Sequence, residues 1–90
     1  MTGLAAPALA SPLTTLQPLA QRCFASPGIA TCGRFFDLSD RLKEEADHRS
    51  QLRCYTSLLA LEAVASRALR GDNDPGRQER ALQDTTRDCP

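Results

Sequence analysis

The chain has 90 residues, and its eleven basic and eleven acidic side chains give a formal net charge of zero at pH 7. Its length allows one domain at most, and a chain of this size buries only roughly 60 to 65% of the surface that its unfolded form exposes. The balanced charge removes any overall electrostatic attraction to nucleic acid or to an anionic membrane.

The apolar residues are dominated by thirteen Leu and thirteen Ala, against one Ile and one Val. Ala and Leu lose little side-chain freedom in a helix, whereas strands are rich in β-branched and aromatic residues. The composition therefore predicts an all-α fold. The pattern along the chain predicts a small helical hairpin or a short three-helix arrangement, with a long helix in the C-terminal half.

Prolines divide the N-terminal part of the chain. Residues 1–17 are predicted to form a flexible arm, because Pro7 and Pro12, followed by Pro18, leave no room for a long helix. Pro18 suits the first turn of a short helix that ends near Phe24.

The second predicted helix begins after Asp37, whose side chain can accept hydrogen bonds from the first backbone N–H groups of a helix. Gly33 is expected to act as a breaker before it. Residues 43–51 are almost entirely polar, and opposite charges four positions apart favour one exposed helix that continues into the next segment. The alternative is a hairpin in which Ser50 caps a new helix.

The clearest helical pattern runs from Leu52 to Leu69, where apolar residues recur every three or four positions. This helix is predicted to end at Gly71, since a left-handed C-terminal cap favours glycine. Residues 18–71 are therefore predicted to form the helical domain. Residues 72–90 are predicted to form a loop followed by a polar tail, which is either a short frayed helix or disordered.

The segment from Leu58 to Ala65 is apolar around most of its circumference, which exceeds what the rest of the predicted chain can cover. We therefore predict a small helical protein-binding module, such as an adaptor, a co-chaperone or a regulatory subunit. Its partner would be another protein or a second copy of the chain. The alternative is a self-sufficient helical fold in which the same residues form its own core. The predicted contact residues are Leu58, Leu61, Ala65 and Leu69.

Four cysteines allow a second interpretation: Cys23, Cys32, Cys54 and Cys89. Reduced thiols and a cytoplasmic location are expected, because the N-terminal segment lacks the basic start and the longer apolar stretch of an export signal. The alternative is an exported, disulfide-stabilised helical protein in which Cys23 pairs with Cys32 across a short loop. No two cysteines lie closer than nine positions apart, so no structural zinc site is predicted.

No catalytic residue, metal site or cofactor is predicted, and the chain is interpreted as a non-enzyme. Its single histidine, His48, lies in the most polar stretch and is expected to be solvated. Basic and acidic side chains alternate between Arg67 and Arg80, so nucleic-acid binding is not favoured, although a small DNA-binding regulator is a further alternative. No apolar run reaches the 18 or so residues needed to cross a bilayer.

Overall fold

The computed structural model describes residues 12–90, and this part of the chain folds into helices without strands. The prediction of an all-α fold is confirmed for these residues. Residues 12–90 form four helices rather than two or three: α1 (Pro12–Ala25), α2 (Ile29–His48), α3 (Leu52–Leu69) and α4 (Pro75–Asp88).

Successive helices are antiparallel and pack in chain order, α1 on α2, α2 on α3 and α3 on α4. This order follows from connections of only three to five residues, since short loops make consecutive helices antiparallel neighbours. Helix α1 also contacts α3 and α4, but much less closely. The result is an elongated molecule of 47 × 27 × 21 Å.

The core draws on all four helices. Each helix contributes a stripe of residues three or four positions apart, which is the spacing that lines one face of a helix. The largest side chains at its centre are fully buried: Leu16 of α1, Phe35 of α2, and Leu58 and Leu61 of α3.

Helix α1 begins at Pro12, inside the segment that was predicted to be a flexible arm. Pro18 lies within the helix and removes one backbone donor, yet the helix continues because Leu13 and Leu16 are buried in the core. Burial of these leucines offsets the free-energy cost of a proline inside the helix. The part of the predicted arm before Pro12 lies outside the described residues.

Helix α2 begins at Ile29, and both Gly33 and Asp37 lie inside it. The prediction that Gly33 breaks the chain and that Asp37 caps a helix is wrong. Cys32 and Phe35 are buried near the start of the helix, and this packing outweighs the roughly 1 kcal/mol that an interior glycine costs.

The chain reverses between α2 and α3, so the expectation of one continuous helix through residues 43–51 is wrong and the hairpin alternative is correct. Ser50 does not cap α3; it adopts the left-handed conformation, with φ of 57°. The N–H groups of Ser50 and Gln51 donate to the carbonyls of Asp47 and Ala46, which is a Schellman ending of α2. A continuous helix would have left the apolar stripes of α2 and α3 unable to face each other.

Helix α3 ends in the same way, at the glycine that the sequence predicted. Gly71 has φ of 91°, its N–H donates to the carbonyl of Ala68, and the N–H of Asp72 donates to the carbonyl of Arg67. This is again a Schellman motif, here with the residue that best tolerates positive φ.

Helix α4 occupies residues that were predicted to be a polar tail. Asp74 caps it by accepting a hydrogen bond from the Arg77 N–H at 3.2 Å, and Pro75 stands in the first turn. The face toward the rest of the molecule buries two polar side chains and one alanine: Gln78, Ala81 and Thr85. The apolar pattern of this segment was too weak to reveal a packed helix.

All four cysteines are paired, which differs from the expectation of reduced thiols. Cys23 is bonded to Cys32 and Cys54 to Cys89, with Cα–Cα distances of 4.5 Å in both. The first disulfide joins α1 to α2, and the second joins the start of α3 to the residue after α4. They close loops of 9 and 35 residues, for which the chain-entropy model gives stabilisations of about 2.5 and about 4 kcal/mol.

Candidate functional site

The apolar residues that were predicted to contact a partner are mostly interior. Only Leu69 is on the surface, with 41% of its area exposed. Close packing of α2 and α4 on α3 covers much of the apolar surface of this helix, although Leu59, Ala60 and Ala63 remain exposed. The other three predicted contact residues are completely buried and belong to the core of the chain itself: Leu58, Leu61 and Ala65.

A large concave surface lies elsewhere, between α1 and α4. These two helices run antiparallel but approach each other only loosely, as do α1 and α3, whereas helices consecutive in the chain are well packed. The gap between them forms an open groove of about 850 Å³, which we call the α1–α4 groove.

The α1–α4 groove combines apolar and carboxamide side chains. Its charged residues are Glu79 and Arg87, one of each sign, so the groove carries no net charge. Apolar surface with a few convergent polar groups is typical of a binding site. The apolar residues are Phe24, Ala25, Pro75 and Leu82, and the carboxamides are Gln17, Gln21, Asn73, Gln78 and Gln83.

A relay of hydrogen bonds fixes the end of the groove near the loop before α4. The Gln78 amide donates to Asn73 Oδ1 at 2.5 Å, and the Asn73 amide donates to the carbonyl oxygen of Phe24 at 3.3 Å. Gln78 is buried, so the relay satisfies a polar side chain that burial would otherwise penalise. These contacts hold the start of α4 against the end of α1.

At the other end of the groove, a single hydrogen bond crosses from one helix to the other. Gln17 Nε2 donates to Thr86 Oγ1. Between this bridge and the Asn73 relay, Gln21 and Gln83 are exposed and are free to meet a ligand with both donor and acceptor atoms.

A second polar cluster lies on α3 and α4, beside the Cys54–Cys89 disulfide. Arg87 donates to both oxygens of Asp88, at 2.9 and 3.0 Å, and Ser57 Oγ donates to Asp88 Oδ2 at 2.5 Å. The hydrogen bonds from Arg87, followed by the one from Ser57, lower the pKa of Asp88 from 3.8 to about 2. Asp88 is therefore held ionised at the end of α4.

A third polar contact links α2 to α3. Lys43 Nζ lies 2.9 Å from Glu62 Oε1 and 3.2 Å from Asp40 Oδ1. The hydrogen bond with Glu62 raises the pKa of Lys43. Because both partners in the Lys43–Glu62 pair are largely shielded from water, this pair is an internal tie between the helices and not a ligand site.

No metal site is found in residues 12–90. His48 is exposed, and no group of three metal-binding side chains lies close enough together to hold an ion. Over the same range, no helix is both long and apolar enough to cross a membrane. Among the described residues, the α1–α4 groove is therefore the candidate binding site.

Sequence reasoning did not find the groove because the segment of α4 was predicted to be a polar tail, and the helix opposite it was predicted to begin only at Pro18. One signal was available. Gln17 and Gln21 are four positions apart, a spacing that places both on one face of a helix, but residues 1–17 had been assigned to the arm.

No protein-family model, curated protein or solved structure matches this chain. The chemistry of the α1–α4 groove therefore has to be interpreted from its own residues.

Proposed function

We propose that the protein is a small, disulfide-stabilised helical binding protein that holds an extended, uncharged peptide segment of a partner protein in the α1–α4 groove. The observation that carries this proposal is the groove itself, an apolar trough bordered by carboxamides where α1 and α4 pack only loosely. Binding without catalysis also accords with the interpretation of the sequence as a non-enzyme.

The chemistry of the groove favours a peptide backbone over a charged ligand. Carboxamides both donate and accept hydrogen bonds, as do the N–H and C=O groups of an extended peptide. Glu79 and Arg87 cancel each other in net charge, so an acidic or a basic segment gains no overall attraction.

The dimensions set the length of the bound segment. The lining residues of α4 extend from Pro75 to Arg87, which corresponds to about 18 Å along a helix that rises 1.5 Å per residue. An extended chain covers this length with about five residues. Apolar side chains of the segment would pack on Phe24 and Leu82.

The two disulfides support a location in an oxidising compartment, which is the exported alternative of the sequence interpretation. Mass spectrometry of the protein from its native host, after alkylation of free thiols, tests this part of the proposal. We expect no alkylated cysteine; four alkylated cysteines would contradict it.

Selection from a library of displayed seven-residue peptides, followed by NMR titration of the ¹⁵N-labelled protein with the best peptide, tests the groove. We expect the selected peptides to be uncharged and apolar, and to shift the amide signals of Gln21 and Gln83. Failure to select any peptide, or shifts confined to α2, would reject the proposal.

A matched pair of variants separates occupation of the groove from general effects. Ala25→Trp places a bulky ring in the groove, whereas Ala63→Trp places the same ring on an exposed position of α3 outside it. We expect Ala25→Trp to weaken binding at least about tenfold, the loss of roughly 1.4 kcal/mol, and Ala63→Trp to leave it unchanged. Equal affinity in the two variants would place the peptide elsewhere.

A further inference from the structure

The two disulfides differ in their access to solvent. Cys23 and Cys32 are 0% and 1% exposed, so their bond lies inside the core. Cys54 is also buried, but Cys89 is only half-buried, and both line a surface cavity of about 280 Å³ together with Arg49. Because disulfide exchange requires a thiolate to reach a sulfur atom, the Cys54–Cys89 bond is the accessible one.

The Cys54–Cys89 disulfide also holds the described helix that buries the fewest apolar side chains. Helix α4 has 14 residues, and its fully buried positions are Gln78, Ala81 and Thr85, so little apolar area keeps it in place. An isolated helix of this length is marginal in water. Near its C-terminal end, α4 also has two hydrogen bonds to α3, from Ser57 to Asp88 and from Thr85 to the Ser57 carbonyl, and one from Gln17 of α1 to Thr86.

From these observations we propose that Cys89 is a site of thiol–disulfide exchange with a small thiol or dithiol, and that exchange there releases α4 from α3. The thiolate of the reductant attacks Cys89 Sγ and forms a mixed disulfide, while the Cys54–Cys89 bond breaks and its electron pair leaves on Cys54 Sγ as a thiolate. A second thiolate, from the same dithiol or from another thiol molecule, then attacks the reductant sulfur of the mixed disulfide, and Cys89 leaves as a thiolate. The reductant is oxidised to its disulfide, and the protein gains two thiols.

Arg49 lines the same cavity but adds no net positive charge there, because its guanidinium is paired with Glu45 at 3.1 Å and Glu45 lines the cavity too. Access of a thiolate to Cys89 Sγ is what favours this step. The buried Cys23–Cys32 bond has no such access, so it keeps α1 and α2 joined while α4 is released.

Release of α4 uncovers a stripe of α3. Cys54 and Ser57 face α4 directly, and helical spacing places Leu61, Val64 and Ala68 on the same side. All three are buried while α4 is in place. Reduction thus exposes apolar surface, and it also removes one wall of the α1–α4 groove, a consequence that rests on the proposed function.

Timed reduction of the wild-type protein tests the order of the two disulfides. The folded protein is treated with dithiothreitol and alkylated at intervals, and the modified cysteines are identified by mass spectrometry. We expect Cys54 and Cys89 to be alkylated about ten times faster than Cys23 and Cys32, because exchange depends on access to sulfur. Equal rates, or the reverse order, would overturn the proposal.

Hydrogen exchange on the partly reduced protein tests the release of α4. We expect the backbone amides of α4 to lose protection while those of α1 and α2 keep it. Retained protection throughout would show that the disulfide does not hold α4, and loss throughout would show global unfolding; both results contradict the proposal. This measurement needs no peptide, so its outcome is independent of whether the groove binds one.

Two double variants provide matched controls. Cys54→Ala/Cys89→Ala removes the accessible bond permanently and is expected to reproduce the exchange pattern of the partly reduced protein. Cys23→Ala/Cys32→Ala keeps the Cys54–Cys89 bond and is expected to leave the amides of α4 protected until dithiothreitol is added. If α4 is unprotected in the second variant before reduction, the assignment is wrong.

Discussion

Gly33 occupies a helical position that has no structural need for glycine. It lies inside α2, and a Cβ atom built on it meets nothing within 4 Å. Gly33→Ala should therefore raise the free energy of unfolding by about 0.5 to 1 kcal/mol, because alanine loses less backbone entropy on folding. Denaturation in urea measures this change.

Gly71 provides the control for that substitution. A Cβ atom there also meets nothing within 4 Å, but its φ of 91° is strained for any side chain. Gly71→Ala should destabilise the protein by about 1 kcal/mol. If both variants shift stability in the same direction, the backbone explanation for Gly33 fails.

Ser39 buries a hydroxyl group without a partner. Its side chain is 0% exposed, and its Oγ makes no hydrogen bond. Removal of an unsatisfied polar group relieves a desolvation cost, so Ser39→Ala should raise the unfolding free energy by about 1 kcal/mol. Ser57→Ala should do the opposite, because the Ser57 hydroxyl is buried but donates to Asp88. Equal effects of the two alanines on thermal unfolding would contradict this distinction.

Asp88 makes stability sensitive to acid. Its pKa of about 2 in the folded protein is lower than its ordinary value of 3.8. The contribution of the ionised group is therefore fully present above about pH 4, and it is lost as the pH falls through 2. Thermal unfolding of the wild type and Asp88→Asn, recorded from pH 6 to pH 2, should show a smaller loss for the variant. Parallel curves would rule out this role.

Among the helices, α3 contributes its buried apolar side chains to the core of the chain itself. Leu58→Ala should destabilise the protein by about 3 kcal/mol, since truncation of a fully buried leucine also leaves a cavity. The control, Leu52→Ala, removes a side chain of the same helix that is 72% exposed and should change stability little. Similar values for both variants in urea denaturation would mean that Leu58 is not a core residue.

The helical elements differ in how far the sequence could predict them. The apolar period of α3 and its glycine cap gave the correct C-terminal end, because Gly71 has a local conformation that few other residues accept. The sequence allowed a short frayed helix at α4 but did not predict its packing, since Gln78 and Thr85 are buried through hydrogen bonds and not through apolar character. Tertiary contacts outweighed local preference at Pro18 and at Gly33 in the same way.

The candidate site was beyond prediction for a related reason. The α1–α4 groove joins residues about 60 positions apart, such as Gln21 and Gln83, and only the arrangement of all the helices brings them together. Sequence spacing identifies faces of one helix, but it does not define how closely two distant helices approach. The pairing of Cys54 with Cys89 depends on the same long-range packing.

For the whole molecule, the order of the cysteines along the chain divides the fold into two hairpins that are each closed by one disulfide. Cys23–Cys32 encloses the loop between α1 and α2, and Cys54–Cys89 encloses the loop between α3 and α4. The turn at residues 49–51 lies outside both enclosed loops. It is therefore the one covalent link between the hairpins within the described chain.

A protease would reveal this arrangement through the size of its products. Cleavage by trypsin after Arg70, in the loop before α4, leaves the two pieces bonded through Cys54 and Cys89. Cleavage after Arg49 instead yields two separate polypeptides without any reductant. On a non-reducing denaturing gel, only the cut after Arg49 should replace the band of the intact protein with two bands of lower mass. The cut after Arg70 should leave the apparent mass unchanged, because the Cys54–Cys89 bond holds the two pieces together.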